Sequence, residues 1–100
     1  MSLSPEQKKK FRTIGHGLSP IVTIAGKGMT ENIQLEVDRA LGDHELIKVK
    51  FAVGDREVKH QLIQELCTIV EATLVQEIGH VALLYRKALV SNPKLSNLTR

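Results

Sequence analysis

Four histidines, one cysteine and eleven carboxylates are the side chains with which this 100-residue chain could catalyse a reaction. His16, His44, His60 and His80 stand too far apart in sequence to give the spacings of a metal site. Cys67 falls beside Leu66 and Val70 on a predicted helix with nothing nearby to lower its pKa, so it reads as a small near-core residue rather than a nucleophile. The carboxylates are scattered over predicted helical surfaces. Without a convergent acid, base and nucleophile, hydrolase and transferase chemistry has no residues to run on. The chain reads as a non-enzyme that needs neither cofactor nor metal.

Anion binding is better provided for. In Ala25-Gly26-Lys27-Gly28-Met29-Thr30, the nucleotide-binding P-loop fails because Gly28, not Ser or Thr, follows Lys27. The underlying physics survives in weaker form. Gly26 and Gly28 leave backbone N–H groups unobstructed, Lys27 adds a point charge, and a helix starting at Thr30 would present its positive dipole end. A plain strand-to-helix turn is the alternative. At about 100° per residue, Lys8, Lys9, Arg12 and His16 share one side of a first helix, clear of an apolar Phe11/Ile14/Leu18 stripe. A solvated helix face is the alternative there, although no acid relieves that side.

The elements that must position these groups follow from turn and cap signals. Ser4, Pro5 and Gln7 form a helix start with a capping box, and Gly15 and Gly17 stop the helix. Pro20 opens a β-branched run, Ile21 to Ile24, ended by the glycine-rich turn. Thr30 caps a second helix through Ile33, Val37, Ala40 and Leu41, with Gly42 as its predicted stop. From Glu45 to Phe51 the residues alternate, with Ile47, Val49 and Phe51 on a dry face and Lys48 and Lys50 on a wet one. Val58, Leu62, Leu66, Ile69 and Val70 predict a third amphipathic helix. Leu74 to Ile78 and Val81 to Tyr85 predict a hairpin around Gly79-His80. The resulting α-β-α-β-α-β-β order implies one compact α/β domain built on a mixed four-stranded sheet. Residues 91–100 are polar and expected to fray.

Net charge is +3, and it is unevenly spread. The basic residues of the first thirty positions outnumber the single acid Glu6, whereas acids and bases nearly balance beyond them. That asymmetry suits a phosphate-rich partner. The aromatics Phe11, Phe51 and Tyr85 all fall at core-facing positions, so no platform is left for stacking splayed bases; backbone and shape recognition of structured RNA fits better. The lone cysteine and the polar, basic start carry no sign of secretion or membrane insertion, so the expected location is the cytoplasm.

The segments LSPEQKKKFRTIGHGLSPIVTI, GMTENI, DRALGDHELIKVK and LVQEIGHVALLYR together resemble the CRM domain, the chloroplast RNA splicing and ribosome maturation module, in its stand-alone bacterial YhbY-like form. The resemblance spans nearly the whole chain, with residues 1–90 as the domain. It implies a shape similar to the C-terminal domain of translation initiation factor three, and an RNA partner in precursors of the large ribosomal subunit. The family's G-x-x-G loop, likened to that of KH domains, would fall on residues 25–28, where Ala25 replaces the first glycine. If that position required φ > 0, alanine would cost about 1 kcal/mol or more. Carried over, the implied contacts are Lys8, Lys9 and Arg12 to phosphates, Gly26, Lys27 and Gly28 around one bent phosphate segment, and Lys48, Lys50 and Arg86 as flanking charge; His16 on the helix side and Thr30 at the loop complete the candidate RNA-binding set. A protein-interaction adapter whose basic end docks an acidic partner is the competing reading. A monomer is the default, with sheet-edge pairing left open.

Overall fold

The computed structural model describes residues 3–25, 28–90 and 93–99. Its first helix, α1 (Pro5–Gly15), starts as the capping box dictates: the Ser4 hydroxyl accepts from the Gln7 N–H, and the Gln7 side chain accepts from the Ser4 N–H. Two orphan donors of the helix start are thereby satisfied. Strand β1 (Pro20–Ile24) follows, then α2 (Glu31–His44), β2 (Leu46–Phe51), α3 (Arg56–Ile69), the hairpin strands β3 (Thr73–Ile78) and β4 (Val81–Tyr85), and a 3-10 turn at Asn97–Thr99. No helix among the described residues is long and apolar enough to cross a membrane.

The strands lie in the order β1-β2-β4-β3, with β1 and β2 parallel and the other neighbours antiparallel. The α2 crossover makes the first pairing parallel, and the tight turn at Gly79, whose φ is +58°, makes the β3–β4 pairing antiparallel. Against one sheet face pack Val37 and Leu41 of α2 and Ile63 and Leu66 of α3, enclosing Ile24, Val49, Phe51 and Leu84. Each such fully buried side chain contributes about 1.5–3 kcal/mol. On the other face a smaller cluster joins Phe11 of α1 to Leu46, Val75 and Leu83. The sheet therefore separates α1 from α2 and α3.

Several expectations are corrected. The second helix does not stop at Gly42 but runs to His44, and the chain reverses at Glu45 with φ +65°. Glu45 holds this conformation because its buried carboxylate accepts from the Ala88 N–H at 3.2 Å and the Ser96 hydroxyl at 3.0 Å. Segment 91–100 does not simply fray: among its described residues Ser96 and Asn97 are buried, and the Asn97 amide donates to the Leu46 carbonyl at 2.6 Å. In α3 the buried positions are Lys59, Ile63 and Leu66, whereas Val58 and Ile69 are both 44% exposed. Lysine enters this stripe because its ammonium donates to the Gly79 carbonyl at 2.7 Å and lies 3.9 Å from the Glu77 carboxylate. In β2 the lysine-bearing face is not wet throughout, since Leu46 is wholly buried beneath α1.

Helix α3 ends in a Schellman arrangement, with the Ala72 N–H bonded to the Cys67 carbonyl at 2.9 Å and Glu71 at φ +56°. Glycine at position 71 should relieve the left-handed strain, so Glu71→Gly is expected to raise stability by about 1 kcal/mol. Truncating Glu45 to alanine should lower it by about 1–3 kcal/mol, because the buried donors of Ser96 and Ala88 lose their acceptor. Urea unfolding checks both: the midpoint should move up for the first variant and down for the second, with the slope unchanged.

Candidate functional site

On the α1 side of the sheet, strand pairing arranges the side chains in rows. Leu46, Tyr85 and Thr73 form the row that α1 covers, with the Phe11 and Tyr85 rings 4.6 Å apart. Next comes Pro20, Lys48, Leu83 and Gln76, and beyond it Thr23, Lys50, Val81 and Ile78. At Gly15, α1 comes so close to β4 that a Cβ would stand 2.7 Å from a Leu83 methyl. The helix ends there, and the last row is left bare. Lys48 and Lys50, two residues apart on one strand, stand about 7 Å from each other. His16 and Lys48 meet across a groove of about 330 Å³ between the end of α1 and the sheet.

The glycine turn leaves the sheet from β1, whose Thr23 and Ile24 pair with Lys50 and Phe51. The Gly28 N–H closes it on the Ala25 carbonyl at 2.9 Å. Gly26 and Lys27, expected at its tip, lie outside the described residues. Gly28 has φ +74°, and Ala25 does not take a positive φ. Among the described loop residues the left-handed position is thus the last rather than the first, and alanine at position 25 carries no positive-φ strain. The Thr30 hydroxyl accepts from the Ile33 N–H at 3.2 Å, which commits it to capping α2. At the same end of the sheet stands His80, exposed at the hairpin tip, its carbonyl bonded to the Phe51 N–H. Sequence gave no signal of this proximity, because it arises from the pairing of β2 with β4.

Charge divides with the faces. Helix α1 carries Lys8, Lys9, Lys10 and Arg12 against Glu6, whereas α2 carries Glu31, Glu36, Asp38 and Asp43 against Arg39. None of Lys8, Lys9, Arg12, Lys48 or Lys50 forms an ion pair among the described residues, whose three pairs join Lys59 and His60 to Glu77 and Arg86 to Asp38. Arg86 corrects the expectation of flanking charge. Its guanidinium donates to the Asp38 carboxylate at 2.6 Å, the Val70 carbonyl at 2.9 Å and the Asp38 carbonyl at 2.8 Å. It tethers α2 to the end of α3, where a helix leaves carbonyls in need of donors.

Fold and surface together define a small mixed-sheet α/β domain with a cationic helix on one face and an acid-bearing helix on the other. The chain belongs to the CRS1 / YhbY (CRM) domain family, whose model matches residues 3–86. It is 49% identical over 100 residues to "Probable RNA-binding protein PA4753" of Pseudomonas aeruginosa, covering all of this chain and 96% of that one. To the "RNA-binding protein" of Haemophilus influenzae it is 44% identical over 85 residues, which cover 85% of this chain and 86% of the relative. The solution structure of hypothetical protein SAV1595 from Staphylococcus aureus, 32% identical, matches with a TM-score of 0.76 over 87% of this chain and 91% of that one.

Among the described residues no group of three or more His, Cys, Asp or Glu side chains could hold a metal. Cys67 is partly buried against the α2/α3 core, and burial pushes its thiol from about 9 up to about 11. The raised value favours the neutral thiol in the folded state, so little thiolate is present near neutral pH. At pH 8, alkylation of Cys67 by iodoacetamide should be slower by about a hundredfold in the native protein than in urea, as two pH units of lost thiolate require. Equal rates would mean that the thiol is neither buried nor shifted.

Proposed function

We propose that this chain is a non-catalytic RNA-binding protein that engages structured ribosomal RNA by neutralising phosphates, in assembly of the large ribosomal subunit in the cytoplasm. The observation that carries the reading is the division of charge across the sheet. The cations of α1 and the lysines of β2 face one way, unpaired, while the carboxylates of α2 face the other. A phosphate backbone meets that first face with Lys8, Lys9, Arg12 and His16 along the helix, Lys48 and Lys50 along the strand, and the 25–28 turn at the strand ends. Lys27 and the loop N–H groups serve as donors to one phosphate, beside the positive end of α2. Its relatives' names as RNA-binding proteins support the choice of polyanion.

Binding of the wild type to a structured large-subunit ribosomal RNA fragment, measured across a salt series, tests this reading. Lys27→Glu and Lys48→Glu should each weaken binding about 5–10-fold and lower the slope of log K against log salt by about one. Arg39→Glu changes net charge equally but sits on the acidic helix, and it should leave the affinity within about twofold of wild type. Equal weakening by all three variants would reduce the interaction to net charge. Competition by an acidic protein as effective as by RNA would favour the adapter reading.

A further inference from the structure

We propose that the groove at the end of α1 receives a single unpaired nucleotide, so that the domain selects RNA bearing a bulged or looped-out nucleotide over uninterrupted duplex. This rests on the RNA-binding reading above and adds the class of RNA recognised. The floor is the uncovered part of the sheet: Val81 and Ile78 pair directly across β4 and β3, and Ile78 is 58% exposed. Pro20 stands at the far end of the neighbouring row, beside Lys48. Val81 and Ile78 make the apolar plate of this floor, with Pro20 on the far side of Lys48, and an aliphatic surface can carry the π-face of a base where no aromatic is available.

The rim has complementary chemistry. Lys48 and His16 border the plate, Lys50 stands in the same row as Val81, and no carboxylate lines the groove. A base on the aliphatic plate therefore has cations within reach of its own phosphate. At the opposite end lies the amide of Gln76, which makes no side-chain hydrogen bond among the described residues and offers both donors and an acceptor to a base edge. A purely apolar ligand would leave these cations and this amide desolvated and unpaired, and an acidic one would leave the plate unused.

Position decides between paired and unpaired bases. The volume of about 330 Å³ lies at the small end of ligand sites and has room for one nucleotide. The floor is recessed beside the end of α1, which Gly15 brings down onto Leu83. A-form RNA keeps its bases stacked inside and offers a protein mainly phosphates and 2′-hydroxyls, so only an extruded base reaches such a floor.

The test compares three RNA duplexes of one sequence and length at fixed salt: fully paired, with one bulged uridine, and with an abasic residue at the bulge. Fluorescence anisotropy should show the bulged RNA binding about 5–10-fold more tightly than the paired one, with the gain lost in the abasic RNA, whose backbone is equally flexible. Ile78→Ser and Gln76→Ala should abolish the gain while keeping wild-type affinity for the paired duplex and wild-type thermal melting. If bulged and abasic RNAs bind alike, the nucleotide site is overturned while the phosphate-binding reading stands. If no duplex binds better than to an unrelated basic protein, the RNA-binding reading fails as well.

Discussion

The seat of α1 on the sheet is the contact on which the rest of this molecule depends. Phe11, 5% exposed, packs against Tyr85, and Gly15 lets the helix end rest on Leu83 closer than any side chain would permit. These two residues place the helix over the Leu46 row and stop it short of the Lys50 row. Because Phe11, Ile14 and Leu18 turn inward, helical geometry turns Lys8, Lys9 and Arg12 outward. One packing decision thus hides the hydrophobic half of this sheet face, bares the other half and lines the border with positive charge.

The cations fall into two populations with different physics. Lys59 and Arg86 are committed to the fold: Lys59 donates to the Gly79 carbonyl at the hairpin turn, and Arg86 donates to the Val70 carbonyl at the end of α3 and to Asp38 of α2. Burying them is tolerable because their donors are met, and no buried side-chain polar atom among the described residues lacks a partner. Lys8, Lys9, Arg12, Lys48 and Lys50 take no such part. On α1 only Glu6 opposes their charge, and that face is where a polyanion gains most from releasing its counterions.

The chain beyond the matched family segment adds to the structure rather than trailing from it. Ser96 and Asn97 reach back to Glu45 and to the first carbonyl of β2, and the His44 ring meets the Leu95 carbonyl at 2.7 Å. Leu98 packs against the Phe11 cluster. The α2–β2 junction, strained at Glu45, is held from outside by residues that come half the chain later. The positive φ of Glu45, with ψ −41°, is sustained there by the donors its carboxylate meets, the Ala88 N–H and the Ser96 hydroxyl among them.

Local chemistry alone determined the element order, the caps at Ser4 and Thr30 and the hairpin, because these depend on residues within a few positions of one another. The grouping of Lys8, Lys9, Arg12 and His16 on one helical side was equally legible, being a matter of helical period. Only the tertiary structure decided that Arg86 and Lys59 serve the fold, since the carbonyls they meet belong to distant elements. It also decided that the Lys48 and Lys50 face is half covered, that Ser96 and Asn97 are buried, and that Gln76 lies across the sheet from Pro20. Strand order brings those residues together, and strand order is set by which faces bury most apolar surface in the whole domain, a sum that no local pattern contains.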